Sequence, residues 1–251
     1  MLIGTDLCLF EACKEGSIEI VQLLLAYDIY DVNDINKDGE TALTIACQRN
    51  FIEIVQLLIN KNTDVNIADN NGFTVLIFAC ANGFIDIVEL LLSKGADVNS
   101  VDQYNGTALK YAINNDFDEI AELLLKKGAD INVVDQYNNT ILMLACYDGS
   151  IEKVKLLLKW KADINALNED GESALIAAIH KEHVAIVKLL LDHGACINII
   201  NNDNYTSLGI AYEYGFNEIV QLLQNKNKIY EINSLNFSYV DCLSFVLIFF
   251  L

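Results

Sequence analysis

Three histidines and a cysteine lie close together in the sequence and are the first candidates for metal chemistry. His180, His183 and His193 fall in one stretch, and Cys196 follows soon after. Imidazole nitrogens and thiolates bind Zn²⁺, but a zinc site needs three or four such ligands converging on the ion. The local pattern places His180 at the end of one predicted helix, His183 at the start of the next and His193 in a loop. We therefore predict surface and packing roles for the histidines, and no metal ion.

Other catalytic constellations are not expected. The sequence has no Ser/His/Asp or Cys/His pairing with a supporting turn of its own, and its glycines recur periodically instead of forming a phosphate loop. The paired carboxylates Asp118 and Glu119 fall on the exposed face of a predicted helix. An enzyme needs a concave site that buries its substrate. We predict a protein that is not an enzyme and carries no cofactor.

The cysteines indicate packing and not cross-linking. Alanine directly precedes Cys13, Cys47, Cys80 and Cys146 among the seven cysteines. If these positions are equivalent in adjacent units, they lie about one helix-packing distance apart, which is too far for a disulfide. We therefore expect small core residues in a reducing compartment, either the cytoplasm or the nucleus.

The net charge argues against a nucleic-acid partner. The formal charge is −19, and the only arginine is Arg49 among scattered lysines, whereas phosphate binding needs clusters of Lys and Arg. An acidic protein favours a basic or neutral protein partner and a salt-sensitive encounter. The alternative interpretation is that the charge keeps a chain with 53% hydrophobic residues in solution.

One period organises the chain. Hydroxyl residues recur 33 apart at Thr41, Thr74, Thr107, Thr140, Ser173 and Thr206. A period held over six copies indicates one supersecondary unit, each copy burying its apolar face on its neighbours. Each hydroxyl is predicted to cap a helix by accepting a hydrogen bond from a backbone N–H of the first turn.

The residues before each hydroxyl predict a tight turn. Two residues before it stands Gly or Asn, which tolerate a positive φ: Gly39, Gly72, Asn105, Asn138, Gly171 and Asn204. Five residues before it stands Asn or Asp, whose side chain can close the loop on backbone N–H groups: Asn36, Asp69, Asp102, Asp135, Asn168 and Asn201.

The residues after each hydroxyl predict two packed helices. Alanine always follows five residues later, at Ala46, Ala79, Ala112, Ala145, Ala178 and Ala211. Nine residues later, Gly83, Gly149 and Gly215 break the first helix in three copies. An apolar run such as Ile54, Val55 and Leu58 then predicts a second helix with one buried stripe. Each unit closes on an asparagine, at Asn66, Asn99, Asn132, Asn165 and Asn198.

This order of turn, capped helix, break and second helix resembles the ankyrin repeat over about residues 5–227, although no copy keeps the Pro or the His of the family's Thr-Pro-Leu-His motif. The resemblance implies an all-α repeat solenoid of stacked helix-turn-helix units with β-hairpin-like turns. We predict one ankyrin repeat domain, 1–227, whose first unit acts as an N-terminal cap. Its approximate units are 1–33, 34–66, 67–99, 100–132, 133–165, 166–198 and 199–227.

Residues 228–251 form a tail of unknown role with an apolar end. The run 242–251 is too short to cross a bilayer alone, so a membrane partner is not expected. The tail either folds back on the last repeat, contacts a partner, or reflects a truncated or wrongly predicted gene end. An alternative to a simple scaffold is a substrate-recognition adaptor or membrane-associated fragment whose tail recruits a second component.

The resemblance also implies where a partner binds, because turn tips and first-helix ends line a concave face in such arrays. Carried over by position, the predicted binding residues are Asp38, Glu40, Arg49, Asn71, Phe73, Tyr104, Tyr137, Tyr147, Asp148, Asp170, Glu172, His180, Tyr205 and Tyr214. Aromatic anchors lie in the middle and acidic residues on both sides. We predict a monomeric protein-binding scaffold for a segment with apolar anchors flanked by Lys or Arg. The alternative is that Gln-Tyr-Asn in two successive copies records a duplication without a selected ligand.

Overall fold

The computed structural model describes residues 6–27 and 31–228, and there it consists of helices joined by turns. In chain order the helices are α1 (Asp6–Glu15), α2 (Ile18–Ala26), α3 (Ala42–Gln48), α4 (Ile52–Ile59), α5 (Val75–Ala81), α6 (Ile85–Ser93), α7 (Ala108–Asn114), α8 (Asp118–Lys126), α9 (Ile141–Asp148), α10 (Ile151–Lys159), α11 (Ala174–His180), α12 (Val184–Asp192), α13 (Ser207–Glu213) and α14 (217–228). The odd-numbered helices are the first helices of their repeats and the even-numbered ones are the second. This architecture confirms the predicted all-α repeat solenoid.

The chain divides into two compact units. The first, Met1–Gln136, contains α1–α8, and the second, Tyr137–Leu251, contains α9–α14. The predicted single domain, 1–227, with its seven repeat boundaries therefore stays a prediction. The predicted tail lies outside the described residues except for residue 228.

Five of the six predicted helix caps are confirmed. The hydroxyl oxygens of Thr41, Thr74, Thr107, Thr140 and Thr206 each accept a hydrogen bond from the backbone N–H three residues on. The prediction is wrong for Ser173, whose side chain makes no capping bond and whose buried Oγ has no hydrogen-bond partner. Serine lacks the γ-methyl group that restricts the χ1 angle of threonine, so its sequence position alone does not hold the hydroxyl towards the helix.

The predicted turns are also confirmed. All six Gly or Asn residues two positions before the hydroxyl have positive φ. The Asn or Asp three positions earlier closes the loop, as in the third repeat, where Asp69 Oδ1 accepts from the backbone N–H groups of Asn71 and Phe73, both at 2.8 Å. An isolated bridge pairs the two sides of four turns: Ile35 with Thr41, Ala68 with Thr74, Val101 with Thr107, and Ile200 with Thr206.

The break between the two helices of a repeat requires a left-handed residue. Gly83 has φ 76°, and the next backbone N–H, of Phe84, donates to the carbonyl of Ala79 at 3.0 Å. This closure is typical of a helix C-terminus that ends on glycine. Glu182 adopts φ 56° at the equivalent point and Lys161 adopts φ 61° in an exit loop. Side chains with a Cβ are strained in this region, so these two copies store backbone strain.

The core of each unit comes from one stripe on every helix. In the first unit, Leu43, Leu76 and Leu109 of the first helices are at most 1% exposed, and the buried alanines let neighbouring helices approach. Burying a leucine side chain stabilises a fold by about 2 kcal/mol. Cys13 and Cys47 are 0% exposed, and burial raises the pKa of each thiol to about 12. These two cysteines are therefore neutral core residues, as predicted; Cys80 and Cys146 are also buried, whereas Cys196 is exposed.

Asparagine side chains tie each exit loop to the next. The Oδ1 atoms of Asn33, Asn66 and Asn99 accept from the backbone N–H groups of Asp64, Asp97 and Asp130 at 2.7–2.8 Å, and in the second unit Asn165 accepts from Cys196 at 2.8 Å. We call these four residues the asparagine ladder. The amides of Asn66 and Asn99 also donate to the carbonyls of Gly95 and Gly128 at 3.3 Å. At Asn66, Asn99 and Asn165 the 33-residue asparagine period thus corresponds to inter-repeat hydrogen bonds.

The outer side of α2 is apolar. Ile20 and Leu23 are 50% and 57% exposed, whereas Val21 and Leu25 of the same helix are buried. A terminal repeat normally presents a polar outer face. The first repeat, which was predicted to act as an N-terminal cap, therefore exposes apolar side chains that a terminal repeat normally lacks.

Candidate functional site

In each unit, turn tips and first-helix ends form a surface that we call the recognition face. Its tips are the four residues before each hydroxyl, and its helix ends are the residues seven and eight positions after each hydroxyl. Neighbouring tips are joined through the backbone: Asn70 N–H donates to the carbonyl of Asp38 at 3.2 Å, and Asn202 N–H donates to that of Asp170 at 2.9 Å. In the first unit Gly39 approaches the next tip so closely that an added Cβ would lie 2.7 Å from the backbone N of Asn70. The tips are therefore rigid.

Tip and helix end also bond within a repeat. The residue before the hydroxyl and the residue seven after it form a pair: Gln48 Nε2 donates to Glu40 Oε1 at 2.6 Å, and the Glu172 carboxylate bonds His180 Nε2 at 2.8 Å. The carboxylate of Glu213 beside Tyr205 raises the pKa of the Tyr205 hydroxyl. These pairs hold polar side chains of the recognition face in fixed positions.

In the first unit, a half-buried aromatic pair supports the middle tips. The rings of Phe73 and Tyr111 lie 5.5 Å apart between centroids, and Tyr111 OH donates to Asp102 Oδ2 at 2.5 Å. Burial and this bond raise the pKa of Tyr111. Gly106 lies beside this bond, and a Cβ added there would lie 2.7 Å from the Tyr111 ring. The absence of a side chain at Gly106 therefore allows Tyr111 to reach Asp102. Tyr104 beside it is 64% exposed.

In the second unit, the hydrogen-bonded pair of Glu172 and His180 lies beside an exposed aromatic cluster. The hydrogen bond from His180 lowers the pKa of Glu172, and the same bond raises the pKa of His180. The Tyr214 ring meets His180 edge-on at 5.8 Å and stacks on Phe216 at 5.5 Å. Lys181 Nζ lies 4.2 Å above the centre of the Tyr147 ring. Cation and aromatic ring attract each other at this distance.

A groove of about 340 Å³ opens in the recognition face of the second unit, between the tips of two neighbouring repeats. Its apolar floor is formed by Met143 and Leu144 of α9 and by Ala177 of α11. Tyr137 and Tyr147, which are 57% and 48% exposed, stand at its sides. The groove therefore has aromatic walls above an apolar floor.

The far rim of the groove is acidic. Glu169, Asp170 and Glu172 line it, and a hydrogen bond of 3.0 Å from Asn168 Nδ2 to Asn139 Oδ1 joins the two tips. Ser173, which is 1% exposed, also lines the groove, and its Oγ is unpartnered. The groove thus combines negative charge, aromatic rings and an unused buried hydroxyl.

The structure brings together some of the predicted binding residues. Tyr137, Tyr147, Asp170 and Glu172 line the groove, and His180 reaches it through Glu172. The remaining predicted residues of the second unit lie on the recognition face outside the groove: Asp148, Tyr205 and Tyr214. Those of the first unit lie on its own tips and first-helix ends: Asp38, Glu40, Arg49, Asn71, Phe73 and Tyr104. Their role in binding stays a prediction.

The sequence analysis missed the floor of the groove and the Tyr111 ring. Tyr111, Leu144 and Ala177 occupy one repeat position, four residues after the hydroxyl. Residues four apart share a helix face, so the side chain at this position lies on the same face as the capping hydroxyl, next to the turn tip. This spacing could have predicted that the position contributes to the recognition face.

The predicted histidine roles agree with their contacts. His183 bonds the carbonyl of Tyr147 at 3.1 Å and packs on Gly149, while His193 bonds the carbonyl of Leu189 in its own helix at 2.9 Å. Across residues 6–27 and 31–228, no group of three potential ligands is placed to hold a metal ion. In the same part of the chain, none of the helices is long and apolar enough to span a membrane.

Repeated helix pairs with capped first helices and left-handed breaks define a helical repeat protein. A family model described as ankyrin repeats (3 copies) matches residues 9–102, 98–168 and 142–236. These ranges cover well over half of the sequence, and the chain belongs to the ankyrin repeat family. Members of this family are typically non-enzymatic modules for protein–protein interaction.

Solved structures show the same fold. The chain is similar to the ankyrin repeat domain of Bcl-3, described as a unique member of the IkappaB protein family, with a TM-score of 0.79 and 27% sequence identity. The match covers 86% of this chain and 97% of that one. Altogether 643 solved chains match, and so widespread a likeness identifies the fold but no partner. Among curated proteins, none matches the sequence.

Proposed function

We propose that this ankyrin repeat chain is a monomeric, non-enzymatic scaffold that binds a protein through its recognition face. The observation that carries the proposal is the exposure of tyrosines on rigid tips among carboxylates. Tyr104 and Tyr137 are 64% and 57% exposed, and Asp38 and Asp170 lie on other tips. Exposed aromatic side chains are frequent hot spots of binding energy, and the surrounding charges steer the encounter.

The partner that fits this face is a segment with apolar anchors flanked by Lys or Arg. The net charge of −19 favours a basic surface on the partner, and the groove offers an apolar floor beside acidic side chains. The hydrogen bonds between tips reduce the entropy lost on binding, because the face is already ordered. We propose the cytoplasm as its compartment, with the nucleus as the alternative, since Cys13, Cys47, Cys80 and Cys146 are buried free thiols.

The proposal is tested by capturing interacting proteins with the full chain and with a variant of its recognition face. The variant carries Phe73→Ala, Tyr104→Ala and Tyr137→Ala. Truncating a hot-spot residue costs about 2 kcal/mol or more, so we expect the captured partner to bind at least about 30-fold more weakly. Circular dichroism of the variant verifies that the helices are retained.

The matched control removes exposed apolar groups away from the recognition face. Leu23 and Tyr27 are 57% and 65% exposed at the other end of the first repeat, and Leu23→Ala with Tyr27→Ala should leave binding unchanged. If the partner binds the triple variant with full affinity, the binding site lies elsewhere and the proposal is wrong.

A further inference from the structure

We propose that the groove of the second unit receives one arginine side chain of the partner. This inference rests on the proposed function and specifies the chemistry of one subsite. The groove has about 340 Å³ of space, within the range of pockets that hold small ligand groups. The guanidinium lies between the tyrosine rings and the acidic rim, and the methylene stem of the arginine covers the floor of Met143 and Ala177.

The charge of the groove favours a cation. Within the described ranges, the carboxylates of Glu169 and Asp170 form no ion pair, although both line the groove. Glu172 is held by His180, so the rim keeps its negative charge at two other carboxylates. Charge-assisted hydrogen bonds to such carboxylates are about twice as strong as neutral ones.

The aromatic walls suit the same cation. Lys181 Nζ lies 4.2 Å above the centre of the Tyr147 ring, which shows that this ring attracts a positive group on one face. Tyr137 also lines the groove and is 57% exposed. A planar guanidinium stacks on aromatic rings while its edge donates hydrogen bonds, which a compact ammonium group cannot do.

The buried hydroxyl of Ser173 indicates an unmade hydrogen bond at the groove. The residue is 1% exposed, and its Oγ is without a partner, unlike the threonines that cap five other first helices. An unsatisfied buried polar group is costly, and a bound ligand or water relieves the cost. An arginine has five N–H donors, so one remains available for this oxygen after the carboxylates are satisfied.

The experiment uses three acetylated pentapeptide amides and the full chain labelled with ¹⁵N. The peptides have the sequence Ala-Leu-Xaa-Leu-Ala, with arginine, lysine or uncharged citrulline at Xaa. We expect the arginine peptide to shift the amide signals of Tyr147, Ser173 and Ala177 saturably. The lysine peptide should bind at least about threefold more weakly, because it keeps the charge but loses the planar set of N–H donors. The citrulline peptide should bind at least about tenfold more weakly, because it loses the charge.

Variants locate the interaction. Glu169→Gln with Asp170→Asn should weaken the arginine peptide about tenfold, and Ser173→Ala about threefold, without loss of fold because the hydroxyl has no partner to lose. Asp38→Asn with Asp203→Asn, an equal change of charge on other tips, should leave the affinity unchanged. Equal binding of the arginine and lysine peptides, no saturable binding, or binding unaffected by the Glu169 and Asp170 changes would overturn the inference.

The two proposals fail separately. A captured partner that does not bind the Phe73, Tyr104 and Tyr137 triple variant, but binds the Glu169→Gln and Asp170→Asn double variant at full affinity, would support the recognition face and contradict the arginine subsite. If the partner tolerates both sets of changes, both proposals are wrong.

Discussion

The asparagine ladder predicts a specific loss of stability when one of its members is removed. Replacing Asn99 by alanine removes the bond that Oδ1 accepts from Asp130 N–H at 2.8 Å and the bond that Nδ2 donates to the Gly128 carbonyl at 3.3 Å. A protein hydrogen bond contributes about 0.5–1.5 kcal/mol net, and Asn99 is exposed, so water replaces part of each. We expect Asn99→Ala to lower the free energy of unfolding by about 1–2 kcal/mol.

Urea unfolding followed by circular dichroism measures this loss, and the melting temperature should fall by about 3–6 °C for an array of this size. The control is Asn60→Ala. Asn60 is also exposed, but its side chain makes no hydrogen bond within residues 31–228. We expect the control to change stability by less than about 0.5 kcal/mol. Equal losses for the two variants would refute the idea that the ladder connects neighbouring repeats.

Two further predictions concern the second unit. Lys161 has φ 61°, so Lys161→Gly should raise the free energy of unfolding, measured in urea, by about 1 kcal/mol. Gly128 occupies the equivalent position with φ 90°, so Gly128→Lys should lower the free energy of unfolding. Equal stability of Lys161→Gly and the wild type would contradict the strain argument. The hydrogen bond between Glu172 and His180 raises the pKa of His180 above its ordinary 6.5 and lowers the pKa of Glu172 below 4.5. The pair therefore stabilises the fold fully between pH 4.5 and 6.5. This stabilisation is lost as the pH rises through the folded-state pKa of His180 or falls through that of Glu172. We therefore expect His180→Gln to cost about 0.5–1 kcal/mol near pH 5.5 and almost nothing near pH 8.5, and a pH-independent cost would show that the pair acts through packing alone.

The sequence predicted the backbone better than it predicted the site. A threonine with Gly or Asn two positions before it and Asn or Asp five positions before it specifies one turn and one cap, because each residue acts on its own neighbours in the chain. Thr41, Gly39 and Asn36 illustrate this, since their cap, positive φ and loop closure all appear in the structure. Local rules of this kind need no knowledge of the surroundings.

The groove depends on residues that local rules cannot evaluate. Leu144 and Ala177 belong to different repeats, and only the packing of α9 and α11 brings them to one floor. Whether Ser173 caps its helix depends on a side-chain rotamer that no spacing determines. The reach of Tyr111 to Asp102 requires that Gly106 leave space for it. These features follow from three-dimensional packing, and the sequence pattern alone left them open.

The asparagine ladder also constrains how such a gene can change in length. Every bond of the ladder joins an Oδ1 atom to a backbone N–H 31 residues further along the chain. Loss or gain of one whole repeat restores this separation at the new junction, whereas an insertion of one residue within an exit loop displaces the acceptor from its donor. Unequal recombination can therefore lengthen or shorten the array in steps of 33 residues, while a single-codon insertion in one of those loops breaks a bond of the ladder.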